Sequence, residues 1–196
     1  MSRIVGQALR LPTLNAATDA VALQMSIRNE IGSARLASAP AVNAPRLRSI
    51  GIVDVKFGRN VTVVQPVNLY GCEIGDDTFI GPFVEIQKGA TIGKHCRIQS
   101  HAFICELVTI GDACFISHGA MFINDLFTTG GPAGKPELWR QTKLGSRVSV
   151  GTNATILPVT ICDQVVIGAG AVVTSDIVEP GIYAGNPARL LRRLEI

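Results

Sequence analysis

The chain has 196 residues, enough for one domain with a sizeable core, and its formal charge is only +3. Hydrophobic residues make up 47% of the sequence, charged residues 17% and aromatic residues 5%, which predicts a core made of aliphatic side chains. The low charge, without a Lys/Arg run, excludes a typical nucleic-acid-binding surface. No apolar run approaches the roughly 20 residues of a membrane helix, and the N-terminus lacks the apolar stretch of a signal peptide. We therefore expect a cytoplasmic protein that is not inserted in a membrane.

Residues 1–50 are expected to form an N-terminal extension or cap. The segment from Asn15 to Ala37 is rich in alanine and predicts a helix, with Asn15 or Thr18 as its N-cap. Pro40 and Pro45 then indicate a linker. Such a segment either covers an open end of the following domain or contacts another subunit.

A period of six residues dominates the next part of the chain. A large aliphatic or aromatic residue recurs at this spacing, with three steps shortened by one residue or interrupted, and a small or slender residue follows four positions later. Glycine often comes directly after the large residue. The large residues are Phe57, Val63, Leu69, Ile74, Ile80, Ile86, Ile92, Ile98, Ile104, Ile110, Ile116, Phe122, Leu144, Val150, Ile156, Ile161, Ile167 and Val173.

This period is neither the 3.6 residues of a helix nor the two residues of a long strand. It suits a short strand followed by a sharp corner, and three such hexads, one on each side, close a triangular coil. Stacked coils, each rising about 4.8 Å, let every backbone group bond to the coil above and below. The sequence therefore predicts an all-β domain over residues 51–178, a parallel β-helix of about six coils.

The repeat stops after Phe122 and resumes at Leu144. Residues 123–143 contain the only tryptophan, Trp139, and two glycine-rich bends. A loop of this length gives a regular solenoid no stability, and long loops are usually functional. After the last repeat, residues 179–196 form a C-terminal segment, which is predicted to contain a short amphipathic helix from Ala188.

The end of the chain carries the sharpest motif, VVIGAGAVVTSD followed by IYAGNPAR at Ile182–Arg189. These strings resemble the coenzyme A-dependent acetyltransferases of the hexapeptide-repeat superfamily, whose β-helix is left-handed. The resemblance implies acetyl-CoA as the acyl donor. It assigns coenzyme binding to Gly151, Gly168, Ala169, Gly170, Asn186, Pro187 and Arg189, with Arg192 or Arg193 as helpers at the phosphates.

A second motif lies in the stretch from Gly81 to Asp125. It resembles the enzymes that N-acetylate nucleotide-linked 3-amino sugars, including the UDP-2-acetamido-3-amino-2,3-dideoxyglucuronate N-acetyltransferases. The resemblance covers residues 57–196 and places the motifs QSH, ICE and FIND at the site. It implies substrate binding by Glu85, Gln87, Gln99, Ser100, Glu106 and Asp125, catalytic roles for Asn124, His118 and His101, and a homotrimer with sites between subunits.

The repeat by itself, apart from the resemblance, places these residues on two edges of the prism, because one coil consists of three hexads. Glu106 and Asn124 stack on one edge of the prism, whereas Ser100 and His118 stack on another, with His101 beside them. One face separates the two edges within a subunit, so two subunits are needed to bring them together. His118 or His101 is then the candidate base for the acceptor amine, and Asn124 is a candidate donor to the acceptor or the oxyanion. Alternatively, the departing coenzyme A sulfur accepts the proton without a side-chain base.

Metal and thiol chemistry are not expected. His95, His101 and His118 lack the close pair that a zinc site would use, and His95 is expected to lie on the surface. The five cysteines form no metal or disulfide pattern; Cys96 and Cys114 occupy small inward positions one coil apart. Reduced, mostly buried thiols are typical of a cytoplasmic protein.

Three functions remain open at this point. The first is acetyl-CoA-dependent N-acetylation of a nucleotide-linked amino sugar, UDP- or dTDP-linked, for surface polysaccharide, lipopolysaccharide or O-antigen synthesis. The second is O-acetylation of a sugar or another small hydroxyl compound. The third is a non-catalytic β-helix scaffold, which would bind no coenzyme A.

Overall fold

The structure is a computed structural model, and it describes residues 51–194. The predicted cap over residues 1–50, with its helix and linker, lies outside the described residues. The described part is a left-handed parallel β-helix, as the repeat and the resemblance predict. It makes about seven turns, one more than predicted, because the strand at Ile52–Val53 pairs with the coil above it although it precedes the regular repeat.

Twenty-one short strands and one 3₁₀ helix make up this region. The strands are β1 Ile52–Val53, β2 Lys56–Phe57, β3 Thr62–Val63, β4 Asn68–Tyr70, β5 Glu73–Ile74, β6 Phe79–Ile80, β7 Glu85–Ile86, β8 Thr91–Ile92, β9 Arg97–Ile98, β10 Phe103–Ile104, β11 Val108–Ile110, β12 Phe115–Ile116, β13 Met121–Phe122, β14 Thr142–Leu144, β15 Ser149–Val150, β16 Thr155–Ile156, β17 Thr160–Ile161, β18 Val165–Ile167, β19 Val172–Val173, β20 Gly181–Ala184 and β21 Arg189–Arg192. The 3₁₀ helix is Pro136–Leu138.

The strands form three sheets, one on each face of the prism. Face A contains β1, β4, β7, β10, β13, β16 and β19; face B contains β2, β5, β8, β11, β14 and β17; face C contains β3, β6, β9, β12, β15, β18, β20 and β21. The predicted coil length of three hexads is confirmed by the register, in which Phe103 pairs with Glu85 and Ile110 with Ile92.

The hexad positions have distinct physical roles in the structure. The large residue points inward and is almost completely buried, as at Ile86 and Ile104. The small residue four positions later is also buried, as at Ala90 and Val108. Between them, the third position after the large residue adopts a left-handed backbone, for example Asp77 with a φ of 58°. Aliphatic layers stabilise the coil through burial, at about 25 cal/mol per Å² of apolar surface.

The glycine that directly follows the large residue is explained by close stacking of the coils. A Cβ at Gly75 would lie 2.6 Å from the carbonyl carbon of Gly93. A Cβ at Gly93 would meet the carbonyl carbon of Gly111 at the same distance. Backbone therefore packs on backbone along this edge, and a side chain has no room there.

The predicted C-terminal helix is wrong. Arg189–Arg192 forms β21, which pairs antiparallel with Gly181–Ala184 at the end of face C. The order Arg-Leu-Leu-Arg-Arg-Leu from Arg189 to Leu194 also suits an amphipathic helix, but the unpaired backbone of β20 provides a template for a strand. This strand covers the outer edge of β20 and so caps that end of the sheet.

Three edges join the faces, and two of them carry the candidate site. The histidine edge joins face C to face A and consists of residues 64–67, 81–84, 99–102, 117–120, 151–154 and 168–171. The insertion edge joins face A to face B and consists of residues 54–55, 71–72, 87–90, 105–107, 123–141, 157–159 and 174–176. The third edge joins face B to face C.

The predicted inserted loop is confirmed and forms one elongated corner of the insertion edge. Its ends are held together because the N–H of Arg140 donates to the carbonyl of Asn124 at 2.9 Å. The N–H of Thr142 then donates to the carbonyl of Leu107, which returns the chain to the stack. The regular coils therefore continue past the loop without losing register. No helix within the described range is long and apolar enough to span a membrane.

Candidate functional site

The histidine edge brings together most of the predicted catalytic and coenzyme-binding residues. Gln99, Ser100 and His101 occupy one of its corners, and His118 occupies the next coil. Gly151 lies one coil beyond His118, and Gly168–Gly170 lie one coil further. With a rise of about 4.8 Å per coil, His118 and Gly168 are separated along the edge by roughly 10 Å.

Ser100 and His118 form a side-chain hydrogen bond. The Ser100 Oγ lies 2.8 Å from the His118 Nδ1 atom, which confirms that these residues stack one coil apart. When Nδ1 carries the proton and donates to Ser100, the other ring nitrogen, Nε2, has a free lone pair. In this tautomer the exposed His118 ring can accept a proton at Nε2 from a group beside the edge.

His101 lies next to Ser100 but has a different environment. Its ring packs on Phe83, with the ring centroids 4.9 Å apart and the planes inclined by 30°. Its backbone is left-handed, with a φ of 64°, so it occupies the outermost position of its corner. His95 lies on the third edge, where its Nδ1 atom is 3.7 Å from an oxygen of Asp77. Only two of the three histidines therefore share an edge.

The predicted coenzyme-binding residues gather at the C-terminal end of the histidine edge. The N–H of Gly168 donates to the carbonyl of Tyr183, and the N–H of Val172 donates to the carbonyl of Gly185, which draws the motif Ala184–Arg189 against the last coil. The N–H of Ala188 also donates to Val172. A Cβ at Gly151 would lie 2.5 Å from the N atom of Ala169, so Gly151 is required by stacking alone.

The backbone donors of the Gly168–Gly170 turn are not all open. The N–H of Gly168 is bonded to Tyr183, and the N–H of Gly170 donates to the carbonyl of Thr152. The N–H of Ala169 donates to no backbone carbonyl within residues 51–194. Ala169 is also exposed, and it therefore offers the accessible donor of this turn.

Two of the three C-terminal arginines, Arg189 and Arg192, lie at the two ends of β21, and Arg193 lies just beyond it. Arg189 lies at the start of the strand, opposite Ala184 and beside the histidine edge. Arg193 follows the other end of the strand, and its guanidinium is paired with Glu179 at 3.0 Å. Arg193 is four steps of extended chain from Arg189, or about 13 Å. Arg189 is thus the arginine closest to the candidate coenzyme residues.

The insertion edge and the adjoining part of face A hold the predicted substrate-binding carboxylates. Glu85 is fixed from two sides, because Asn68 Nδ2 donates to its Oε2 atom at 3.1 Å and Gln87 Nε2 donates to its Oε1 atom at 2.9 Å. Burial, together with the carboxylates of Glu85 and Glu106, raises the pKa of the Tyr70 phenol. This phenol therefore remains protonated and can donate a hydrogen bond near neutral pH.

Asn124 and Asp125 begin the insertion and have distinct bonding. Asn124 Nδ2 donates to the backbone carbonyl of Glu106 at 3.3 Å, which confirms that these residues stack one coil apart. The Asp125 carboxylate accepts hydrogen bonds from the N–H of Phe127 at 2.9 Å and of Ala133 at 2.8 Å. Asp125 therefore organises the loop itself, a role that its sequence position did not reveal.

Within the described range, no group of three or more His, Cys, Asp or Glu residues is arranged to hold a metal ion. All five cysteines are free thiols. Burial raises the pKa of the Cys72 thiol to about 11 and that of the Cys105 thiol to about 12. Such thiols are protonated at neutral pH and are poor nucleophiles.

Sequence reasoning missed three residues beside the predicted set: Asn68, Tyr70 and Phe83. The regular offset of three hexads does not find Asn68, because the rung between Leu69 and Ile74 is one residue short and Asn68 pairs with Glu85 at an offset of 17. An adjusted register would have revealed this pair. Phe83 could have been found with the regular offset, since it lies three hexads before His101.

Comparisons with known proteins agree with the repeat. The family of bacterial transferase hexapeptides (six repeats) matches residues 71–106, and the hexapeptide repeat of succinyl-transferase matches residues 141–175. The bifunctional protein GlmU of Clostridium beijerinckii is 36% identical over 140 residues, which are 65% of this chain and 30% of that protein. GlmU of Clostridium acetobutylicum is 32% identical over 158 residues. The chain spans about a third of the length of the curated relatives it matches.

Solved structures show the same fold. A mutant of AntD, an N-acyltransferase from Bacillus cereus in complex with dTDP and coenzyme A, has a TM-score of 0.64 and 23% identity, with 74% of this chain and 86% of that chain covered. A hexapeptide-repeat acetyltransferase from Vibrio cholerae, in complex with acetyl coenzyme A, has a TM-score of 0.54 and 25% identity, with 64% and 72% covered. The repeats on both sides of the insertion match these two hexapeptide families, and the three-faced β-helix is the fold that these solved structures share.

Proposed function

We propose that the protein is an acetyl-CoA-dependent N-acetyltransferase that acts on a nucleotide-linked amino sugar. The observation that carries this proposal is the histidine edge, where the Ser100–His118 pair lies about two coils from the Gly168–Gly170 turn. A base and a coenzyme-binding turn on one edge suit transfer of an acetyl group along that edge. The structures of AntD and the Vibrio cholerae acetyltransferase, which are complexes with coenzyme A and acetyl coenzyme A respectively, support the choice of donor.

In the proposed reaction, the unprotonated amine attacks the thioester carbonyl carbon of acetyl-CoA. The carbonyl π electrons move to oxygen, and a tetrahedral oxyanion forms. His118 accepts the ammonium proton at Nε2, while Ser100 holds the ring through Nδ1. Collapse of the oxyanion breaks the carbon–sulfur bond, and the sulfur takes the electron pair and the proton. The products are the acetamido sugar and coenzyme A.

The coenzyme is expected to lie along the C-terminal half of the histidine edge. Ala169 N–H suits an amide carbonyl of the pantetheine arm, and Arg189 suits the coenzyme phosphates. Gly170 has no Cβ contact within 4 Å, so its surface is open. Asn186 and Pro187 are exposed beside this turn and complete the proposed binding surface.

The insertion edge is proposed to receive the amino sugar in a neighbouring subunit. Within one subunit, His118 and Asn124 lie at the two opposite borders of face A. They are six residues apart in the chain, which spans roughly 20 Å at most when extended. A homotrimer would place the histidine edge of one subunit against the insertion edge of the next, and the insertion would fold over the shared groove. Glu106 would attract the ammonium form of the acceptor.

The outward residues of the three faces support such an assembly. Face B presents polar side chains at Lys56, Glu73, Thr91, Thr109 and Lys143. Faces A and C mix polar side chains with apolar ones such as Phe103, Met121, Phe79 and Phe115, and Phe115 and Met121 are 38% and 42% exposed. Exposed apolar side chains next to the histidine edge are suited to packing between identical subunits.

The pairing of base and carboxylates favours an amine over a hydroxyl acceptor. The Ser100–His118 pair would serve O-acetylation equally well, but a carboxylate of the insertion edge would also attract an ammonium by its charge, which a neutral hydroxyl compound lacks. The proposed product belongs to the precursors of surface polysaccharides such as lipopolysaccharide. Mostly buried free thiols are compatible with a cytoplasmic site of synthesis.

The proposal is tested by a screen of acceptors with acetyl-CoA, in which release of the coenzyme A thiol is followed. UDP- and dTDP-linked 3-amino sugars form one arm, and simple sugars and serine, as hydroxyl acceptors, form the other. We expect turnover with at least one nucleotide amino sugar and at least tenfold less with the hydroxyl compounds. Turnover of hydroxyl acceptors alone would favour O-acetylation. No binding of coenzyme A in a thermal-shift assay would favour a scaffold.

A further inference from the structure

An exposed phenylalanine occupies an unusual position on the histidine edge. Five residues of this edge share the left-handed corner conformation, namely Phe83, His101, Gly119, Asn153 and Gly170. Glycine and asparagine adopt this conformation at low cost, whereas a bulky aromatic residue does so rarely. Phe83 adopts it with a φ of 61° and is 56% exposed. An aromatic ring is therefore held outward where a smaller residue would be less strained.

The corner that carries this ring is well anchored. The N–H of Phe83 donates to the carbonyl of Pro66 at 2.6 Å. On the side of the next coil, the ring packs against His101 at 4.9 Å. The Phe83 ring is thus supported by the neighbouring imidazole and still exposes more than half of its surface.

A groove of about 310 Å³ adjoins the ring and extends from the edge onto face A. Its lining is mainly apolar, with two polar residues; it consists of Pro66, Val67, Asn68, Phe83, Val84 and Glu85. This volume lies at the lower end of the range for small-molecule sites, about 300–1,000 Å³. The groove is therefore large enough for a nucleoside.

The polar side chains of the groove have a defined orientation. Asn68 Nδ2 donates to the Glu85 carboxylate, which also accepts from Gln87. The Asn68 amide is thereby oriented with its Oδ1 atom free to accept a hydrogen bond. An imide N–H, as in uracil or thymine, is a donor of the required kind. The exposed ring of Phe83 suits stacking of the same base.

We propose that Phe83 and the adjoining groove bind the pyrimidine base of the nucleotide-linked acceptor, an inference that rests on the proposed function. The order along the edge is consistent with this assignment. Phe83 lies two coils, or roughly 10 Å, from His118, and the coenzyme residues lie on the other side of His118. Ribose and diphosphate would bridge the interval between the base and the reacting amine.

The test measures equilibrium binding of UDP and dTDP to the full chain by calorimetry, without acetyl-CoA. Pyrophosphate serves as a probe that lacks the base. We expect Phe83→Ala to weaken UDP and dTDP binding about 5- to 100-fold, the range for loss of one base–aromatic stack. Phe83→Tyr should bind like the wild type. Pyrophosphate binding should be the same in every variant.

Phe57→Ala is the matched control, because Phe57 is also exposed but lies on face B. The assignment would be overturned if Phe83→Ala bound UDP and dTDP as tightly as the wild type does. It would also be overturned if the wild type bound neither nucleotide. Should Phe83→Ala fail to fold, as judged by circular dichroism, Phe83→Leu tests the same loss of stacking with the apolar bulk retained. Phe83-dependent nucleotide binding without acetyl transfer would reject the proposed function and leave this subsite standing.

Discussion

The histidine edge and the insertion edge bound the same face of the β-helix but use the hexad differently. On the histidine edge every corner keeps its short length, and the proposed function depends on residue type, as in the Ser100–His118 pair. On the insertion edge one corner is expanded into residues 123–141, which Asp125 and the Asn124–Arg140 bond organise. A solenoid can thus acquire a site by changing single corner residues or by lengthening one corner, while the core ladder remains continuous.

The largest effect is expected at His118. His118→Asn removes the proposed base and should lower kcat about 10²- to 10⁴-fold, the usual contribution of a general base. His95→Asn is the control, because His95 lies on the third edge beside Asp77. Thiol release at saturating acetyl-CoA measures both. Full activity in His118→Asn would show that His118 is not the base. The departing coenzyme A sulfur would then be the proton acceptor.

The next effect concerns the insertion edge. Asn124→Ala removes the proposed neutral donor and should lower kcat about 10²- to 10³-fold, as for loss of one oxyanion donor. Asn60→Ala serves as the control, since Asn60 bonds Asp77 on the third edge. Steady-state kinetics with both substrates distinguish the variants. An unchanged kcat with a raised acceptor KM would assign Asn124 to acceptor binding instead.

Variants of Arg189 and Arg193 distinguish an arginine that is proposed to bind the coenzyme from one that has a structural ion pair. Arg189→Ala should raise the KM for acetyl-CoA about 10- to 100-fold, which corresponds to about 1.5–3 kcal/mol for a hydrogen bond to a charged group. Arg193→Ala should leave this KM unchanged, because Arg193 pairs with Glu179 beyond the far end of β21. Equal effects in the two variants would contradict the separation of the C-terminal arginines.

Ser100 is expected to act through His118. Ser100→Ala should lower kcat only about 3- to 10-fold, the value of one neutral hydrogen bond, and should shift the pH profile of kcat. Ser100→Thr retains the hydroxyl and should restore both. A raised acceptor KM with an unchanged pH profile would indicate direct substrate binding, as the resemblance implied for Ser100.

The last prediction concerns the buried thiols of Cys72 and Cys105, which lie on the insertion edge and take no part in the proposed chemistry. Burial raises the folded-state pKa of Cys72 to about 11 and of Cys105 to about 12, above the ordinary value of 9.0. The unfolded chain therefore loses thiol protons first, and the free energy of unfolding should fall as the pH rises from about 9 towards 11. Denaturant titrations at pH 8 and pH 10.5 measure this. Greater stability at pH 10.5 would contradict the assignment.

Much of the fold was predictable because the repeat itself specifies which side chains point inward and which residues form the corners. Inward large and small residues alternate with corners, so face, register and the stacking of Ser100 with His118 follow from counting. The C-terminal strand was not predictable in this way, because Arg189–Arg192 has a pattern that also suits a helix and only the free edge of β20 decides between them. The loop role of Asp125 depends on bonds to Phe127 and Ala133, which no repeat specifies.

Mixed trimers test the central claim, that the histidine edge of one subunit and the insertion edge of the next share a site. His118→Asn and Asn124→Ala proteins, each inactive alone, are unfolded together in equal amounts and refolded. In random trimers, roughly a quarter of the interfaces combine an intact His118 with an intact Asn124. We therefore predict recovery of about a quarter of the wild-type thiol release. Mixtures that remain as inactive as the separate variants would contradict the shared site.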